Sequence, residues 1–83
     1  MAGYHLKEIH RGELGEPSKI KEELDEFIDA IEQQCSIMAL IELSDLIGAI
    51  KMYLERYHPS ITVDDLQIMS GITRRAFESG HRS

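Results

Sequence analysis

Two carboxylates interrupt the most apolar stretch of this chain of 83 residues. Glu42 and Asp45 lie three residues apart, which places both side chains on one face of a helix. Ionised carboxylates in apolar surroundings are costly unless a cation neutralises them. No lysine or arginine occurs between Glu22 and Ile50 to do so. The pattern therefore favours a bound metal ion, because buried ionisable groups are typical of functional sites.

A second pair of carboxylates with the same spacing precedes the first. Glu23 and Glu26 are again three residues apart, in a segment predicted to be helical. If the two helices are adjacent and antiparallel, both pairs point into one cleft and form an all-oxygen site that suits Mg²⁺ or Mn²⁺. The alternative for the first segment is an ordinary solvated face, made of Glu22, Glu23, Asp25 and Glu26.

The elements that must position these carboxylates are helices. A first helix is predicted from about Pro17 to Gln33, because proline suits the first helical position and Glu16 favours the positive end of the helix dipole. Glu22, Glu26 and Asp29 are expected mostly on the side opposite its apolar stripe, whereas Glu23 borders the stripe. The stripe has the helical period and consists of Ile20, Leu24, Phe27, Ile28 and Ile31.

A second helix is predicted to begin at Ser36, as its N-cap, and to stop before Pro59. The segment 37–50 is apolar almost all round, which is typical of a central helix that is packed on several sides. Two neighbouring helices cannot cover so many apolar faces. We therefore expect a three-helix protomer to leave an apolar patch that a second copy covers, giving a four-helix core.

A third helix is predicted from Thr62, with Asp65 completing a variant of the capping box, to a stop at Gly80. Residues 1–16 form an N-terminal arm or short strand anchored by apolar side chains, residues 17–80 a single helical domain, and residues 81–83 a tail. The fold class is thus all-α. The anchors of the arm are Tyr4, Leu6 and Ile9, and the expected inward face of the third helix is Leu66, Met69, Ile72, Ala76 and Phe77.

Length and charge limit the possible functions. A chain of 83 residues with one cysteine forms one marginal domain without disulfides, which favours a homodimer or homotetramer. A net charge of −6 argues against non-specific binding of DNA or RNA, which requires a basic surface. The N-terminus lacks the pattern of a signal peptide, and no stretch is apolar enough for a membrane span. We expect a reducing, cytoplasmic location.

The two acidic motifs resemble a known signature. The run Glu22-Glu23-Leu24-Asp25-Glu26, followed by Glu42-Leu43-Ser44-Asp45, is similar to the E-x-x-E and E-x-x-D motifs of the all-α nucleotide pyrophosphohydrolases. That superfamily includes MazG, the dimeric dUTPases, the dCTP pyrophosphatases and phosphoribosyl-ATP pyrophosphohydrolase. The 15 residues between the motifs fit its two-helix hairpin, and the resemblance covers about residues 17–80, closest to short MazG-like proteins of bacteria and phages.

The resemblance implies a specific chemistry. Members of the superfamily bind Mg²⁺ through four carboxylates that correspond to Glu23, Glu26, Glu42 and Asp45. They cleave a nucleoside triphosphate between its α and β phosphates, which yields a monophosphate and pyrophosphate. Glu22, the additional acid of the first motif, is then a candidate catalytic residue that orients or deprotonates the attacking water, although its expected place is on the more exposed side of its helix.

Two departures from the superfamily concern the substrate. Many relatives carry an asparagine and a lysine in the last helix, where this chain has Arg74 and Arg75 before Phe77. These arginines are candidate phosphate ligands, or else exposed solubilising residues. The chain also lacks the full helix that many relatives have before the first motif. Neither the base nor the sugar of the substrate follows from the sequence.

Three functions are consistent with these residues. The first is an active, Mg²⁺-dependent nucleoside triphosphate pyrophosphohydrolase. The second is a non-catalytic helical oligomer that keeps the metal site for stability or regulation and acts as an accessory or interaction protein. The third is a specialised enzyme with the same chemistry, such as a phosphoribosyl-ATP hydrolase.

Overall fold

The computed structural model of the chain describes residues 7–78, which contain three α-helices and no strand. Helix α1 comprises Pro17–Glu32, helix α2 Ser36–Tyr57 and helix α3 Val63–Glu78. The all-α prediction is confirmed. Residues 7–16 contain neither a helix nor a strand. The predicted anchors Tyr4 and Leu6, the predicted stop at Gly80 and the tail 81–83 lie outside the described residues.

Helices α1 and α2 form a hairpin with a tight connection. Gln34 adopts a left-handed conformation, with φ of 59°. Its N–H donates to the carbonyl of Ile31, and the N–H of Cys35 donates to the carbonyl of Ala30. Together these bonds satisfy carbonyls at the end of α1 in the Schellman pattern, where glycine is more usual at the left-handed position. The connection turns the chain back on itself, so α2 packs along α1.

The boundaries of the helices agree with the sequence to within a few residues. Proline begins α1, and α2 ends two residues before Pro59, as predicted. The predicted N-cap Ser36 was wrong by one position, because Cys35 is the N-cap of α2 and makes no side-chain cap hydrogen bond. The capping box of α3 is confirmed. Asp65 accepts from the N–H of Thr62 at 2.8 Å, and Thr62 Oγ1 accepts from the N–H of Asp65 at 3.2 Å.

The contact between α1 and α2 buries few large apolar side chains. Three of the four buried hydrophobic residues are alanines, and the fourth, Leu54, lines a pocket with residues of the connection to α3. Alanines allow two helix backbones to approach closely but bury little area. The four are Ala30, Ala39, Ala49 and Leu54.

The large apolar side chains lie outside this interface. The stripe predicted on α1 is largely solvent-exposed, with Leu24, Ile28 and Ile31 among the exposed residues. Helix α2 is not enclosed either, since Ile37 is 73% exposed and Leu40 is 67% exposed. The prediction that the protomer leaves much of its apolar surface uncovered is confirmed, whereas the expected burial of α2 on several sides does not occur within one chain.

Helix α3 is the least attached element. It packs against α2 and not against α1, and none of its residues is buried. The predicted inward face was therefore wrong for this protomer, because Met69, Ile72 and Phe77 are all more than half exposed. Contact with α2 covers only part of this helix, and an exposed apolar face of this kind is typical of a surface that binds another chain.

Self-association is the first prediction. We expect light scattering to give a dimer or tetramer at micromolar concentration. Leu40→Asp should dissociate the oligomer or unfold the chain, because it would place an unpaired charge on the face of α2 that we expect a second copy to cover. Ser60→Asp is the control, since it adds the same charge at an exposed position between α2 and α3. A stable wild-type monomer would contradict the prediction.

Candidate functional site

The two acidic motifs meet where α1 and α2 pack together. One carboxylate oxygen from each of Glu23, Glu42 and Asp45 lies within 4.8 Å of the others. Glu22, Glu23 and Glu26 form a second such group, and Glu23 belongs to both. The hairpin therefore brings together all five acidic residues predicted to act in catalysis or metal binding. Glu23 is the central residue of the cluster.

Burial differs among the five carboxylates. Glu42 and Glu23 are only 4% and 5% exposed, whereas Asp45 is exposed. Glu22 is 7% exposed, so its predicted place on the more exposed side of the helix was wrong. The interpretation of the first motif as a solvated face fails for Glu22 and Glu23. The acidic face of α1, and not the apolar stripe, is the face that its own chain covers.

An N-terminal segment covers this acidic face. Residues 7–16, the part of the N-terminal arm that the structure describes, are held along α1 by two carboxylates. Asp29, which is 1% exposed, accepts from the N–H of Lys7 at 3.1 Å, and Glu22 Oε1 accepts from the N–H of Gly12 at 2.7 Å. A Cβ atom on Gly12 would overlap the carbonyl oxygen of Ser18, so only glycine permits this approach. The arm thus explains why Glu22 and Asp29 are buried.

The end of the arm is also fixed to α2. Gly15 has φ of 83°, in the left-handed region that favours glycine, and lies against the side chain of Arg56. Glu16 forms an ion pair with Arg56 at 3.2 Å and accepts a hydrogen bond from the hydroxyl of Tyr57. These contacts hold residues 12–16 across the start of α1 and the end of α2, beside the acidic cluster.

The acidic cluster opens into a cleft of about 700 Å³ between α1, α2 and the arm. Three basic side chains line it together with the acids, namely Arg11 of the arm, Lys19 of α1 and Lys51 of α2. Lys19 Nζ lies 3.2 Å from Glu22 Oε1 and 4.0 Å from Glu23 Oε1. Sequence analysis did not identify these cations. The spacing of Lys19 from the first motif was a usable signal, but the place of Arg11 depends on the course of the arm.

Two neighbouring carboxylates differ in their affinity for protons. Burial raises the pKa of Glu23 to about 7, and the hydrogen bond and negative charge of Glu26 act in the same direction. Burial also acts to raise the pKa of Glu22, but the N–H of Gly12 and the charge of Lys19 together outweigh it and lower that pKa. Glu22 is therefore a poor proton acceptor. The ionised form of Glu23 is disfavoured by burial, and a nearby cation would stabilise it.

The predicted substrate ligands on α3 do not reach this cleft in the same protomer. Arg74 and Arg75 are exposed and are not among the residues that line it. Arg74 Nε forms an ion pair with Glu78 Oε2 at 3.0 Å along the same helix. Their role in substrate binding stays a prediction.

Comparison with known proteins identifies no relative. No family model matches the chain, and no curated protein or solved structure matches it. In the described residues, no helix is both long and apolar enough to cross a membrane. The resemblance to the all-α nucleotide pyrophosphohydrolases therefore depends on the two motifs and on the arrangement of the residues that carry them.

The second prediction concerns the pH dependence of stability. Between pH 4.5, the ordinary pKa of a glutamate, and about 7, the folded chain keeps a proton on Glu23 that the unfolded chain has lost. The free energy of unfolding of the metal-free protein should therefore fall as the pH rises through this range. Glu23→Gln should remove this loss and raise Tm at pH 8 by ~5 °C.

Thermal melts in EDTA from pH 4 to 8 test this. The exposed Glu8→Gln is the control, because it removes the same charge away from the cleft. The variants would contradict the prediction if Glu23→Gln and Glu8→Gln lost stability equally with rising pH.

Proposed function

We propose that this chain is a Mg²⁺-dependent pyrophosphohydrolase that cleaves a nucleoside triphosphate to the monophosphate and pyrophosphate. The observation that supports the proposal best is that both halves of the acidic signature, Glu22 to Glu26 and Glu42 to Asp45, meet in one cluster of carboxylates. Of the five predicted site residues, four line the cleft, and the buried Glu42 lies behind it, next to Glu23 and Asp45. In the superfamily that the motifs resemble, the two motifs lie on the two helices of a hairpin and bind the metal together, so their meeting here is the expected arrangement. Mn²⁺ is an alternative metal, and the cytoplasm, where nucleotides and Mg²⁺ occur together, is the proposed location.

The residues of the cluster fit a hard divalent cation. Glu23, Glu26, Glu42 and Asp45 offer only carboxylate oxygens, which are the ligands that Mg²⁺ and Mn²⁺ prefer. Burial opposes the charge of Glu23 and raises its pKa, so a divalent cation beside it would stabilise its ionised form. A bound Mg²⁺ would supply charge neutralisation for the phosphates and would make water a better nucleophile.

The chain's own basic residues are suited to the phosphates. Arg11, Lys19 and Lys51 line the same cleft as the acids, and they would bind phosphate oxygens next to the metal site. Cations in this position lessen the repulsion between a polyphosphate and a chain of charge −6. The lowered pKa of Glu22 suits a residue that orients water better than one that removes its proton. Arg74 and Arg75 would add contacts only if another protomer presented α3 to the cleft.

At one position in the wall of the cleft, the backbone of α2 carries no side chain. Gly48 lies on α2, lines the cleft, and has open space where a Cβ atom would be. A glycine inside a helix is less stable than alanine by about 1 kcal/mol, and packing within the protomer does not require it here. We propose that the space above Gly48 is occupied by substrate.

A homo-oligomer is part of the proposed function. The large apolar side chains that the protomer leaves exposed on α1, α2 and α3 would be covered by further copies, as in a homodimer or homotetramer. No DNA, RNA or membrane partner is proposed. The second candidate function is a non-catalytic oligomer that keeps the metal site, and it is favoured by the observation that Arg74 and Arg75 do not line the cleft of their own protomer.

The third prediction tests catalysis. Glu42→Gln and Asp45→Asn should each weaken Mg²⁺ binding and reduce hydrolysis at least about a hundredfold, because neutral isosteres lose affinity for the metal. The fold should persist or become more stable, since less charge is buried. Pyrophosphate release from a panel of nucleoside triphosphates, with calorimetric titration of Mg²⁺, provides the measurement.

The control for this experiment is Asp64→Asn, an acidic residue of α3 that does not line the cleft. Wild-type turnover in Glu42→Gln or Asp45→Asn would show that these residues are not metal ligands. Metal binding by the wild type without hydrolysis of any nucleotide would instead favour the non-catalytic oligomer.

The fourth prediction tests the space above Gly48. Gly48→Ala should stabilise the protein by about 1 kcal/mol with little effect on turnover, because the added methyl group meets nothing within 4 Å. Gly48→Leu should keep the fold but raise KM at least about tenfold, since its side chain would occupy the cleft. An unchanged KM in a folded Gly48→Leu protein would show that the substrate does not approach this part of α2.

A further inference from the structure

Lys19 occupies a special position among the cations of the cleft. Its ammonium group lies 3.2 Å from Glu22 Oε1 and 4.0 Å from Glu23 Oε1, on the first turns of the same helix. The side chain is 23% exposed, so water screens its charge less than it screens a surface lysine. Lys19 is thus within ion-pair distance of the two most buried carboxylates of the first motif.

The charge of Lys19 opposes the other influences on Glu23. Burial, Glu26 and Asp45 all disfavour the ionised form of Glu23, and Lys19 favours it. In this cluster of five carboxylates, the ammonium group offsets part of the negative charge, and a divalent cation would offset more of it. Two cations cannot both lie close to the same carboxylate oxygens without repelling each other.

We infer that Lys19 is a tethered counter-ion, which stabilises the acidic cluster while no divalent cation is bound and moves away from Glu23 when one binds. The inference rests on the proposed function, because it requires a metal at the cluster. It goes beyond that function by assigning Lys19 a role that sets the affinity for metal. The displaced ammonium group would remain in the cleft, within reach of a phosphate.

The inference has two consequences that oppose each other. Removing the charge of Lys19 destabilises the metal-free protein, because the carboxylates lose their neighbour. The same change strengthens metal binding, because the metal no longer competes with an ammonium group. A lysine with a purely structural role would produce the first effect without the second.

The test compares Lys19→Met with Lys21→Met. Methionine keeps an unbranched side chain of similar length to the aliphatic part of lysine and a similar helix propensity, and both variants lose one positive charge from α1. Lys21 is the matched control, because its ammonium group pairs with Asp25 at 2.7 Å and does not line the cleft. Calorimetry with Mn²⁺ alone measures the dissociation constant, and thermal melts in EDTA and in saturating Mn²⁺ measure stability.

We expect Lys19→Met to bind Mn²⁺ about tenfold more tightly than the wild type and Lys21→Met to stay within about twofold, since the exposed charge of Lys21 is screened. Lys19→Met should have a lower Tm than Lys21→Met in EDTA, and the difference should disappear in saturating Mn²⁺. Lys19→Arg keeps the charge and should retain both wild-type values.

Other results of these measurements would contradict either the role of Lys19 or the metal site itself. Equal Mn²⁺ affinities for Lys19→Met and Lys21→Met, with binding by the wild type, would overturn the role of Lys19 and leave the proposed function standing. An absence of Mn²⁺ binding by the wild type and by Lys19→Met would overturn the metal site itself. If Lys19→Met does not fold in EDTA, recovery of its helical signal on addition of Mn²⁺ supports the inference, and failure to recover overturns it.

Discussion

The burial of carboxylates is the constraint on which this structure depends. Within the described residues, the buried set contains as many acidic side chains as hydrophobic ones, and three of the hydrophobic ones are alanines. Charge in such an interior is stable only where donors or cations compensate it. The chain provides backbone N–H groups of the arm for Asp29 and Glu22 and the ammonium group of Lys19 for the first motif. The arm, the start of α1 and the cleft are therefore one connected arrangement.

The same constraint determines the shape of the protomer. The covered face of α1 carries acids and an alanine, so its contact with α2 buries little apolar area. The large apolar side chains lie on the exposed faces of both helices. In a monomer stabilised mainly by its apolar interior, the large apolar side chains would be buried and the acids would be exposed. In the proposed oligomer, the exposed apolar faces of α1 and α2 would pack against further copies, and the acidic side would stay open to ligand.

Local patterns in the sequence predicted the helices and the meeting of the two motifs well. Proline, the capping box at Thr62 and Asp65, and the three-residue spacing of the acids each act within one or two turns of a helix. The periodicity of α1 identified its two faces but assigned the wrong one to the interior of the protomer. Hydrophobic periodicity shows that a face must be covered, and it does not show whether the same chain or another copy covers it. The inward face predicted for α3 failed for the same reason.

The basic residues of the cleft show where prediction from sequence reaches its limit. The place of Lys19 follows from helical spacing, since it lies three residues before Glu22 and four before Glu23. Lys51 shares one face of α2 with Ser44, Asp45 and Glu55, a polar strip that the apolar composition of the helix obscured. Arg11 could not be placed, because its position depends on a close approach between Gly12 and the start of α1 that no periodicity encodes. Cleft residues set by tertiary contacts of an irregular segment thus require the structure, whereas those set by helical spacing do not.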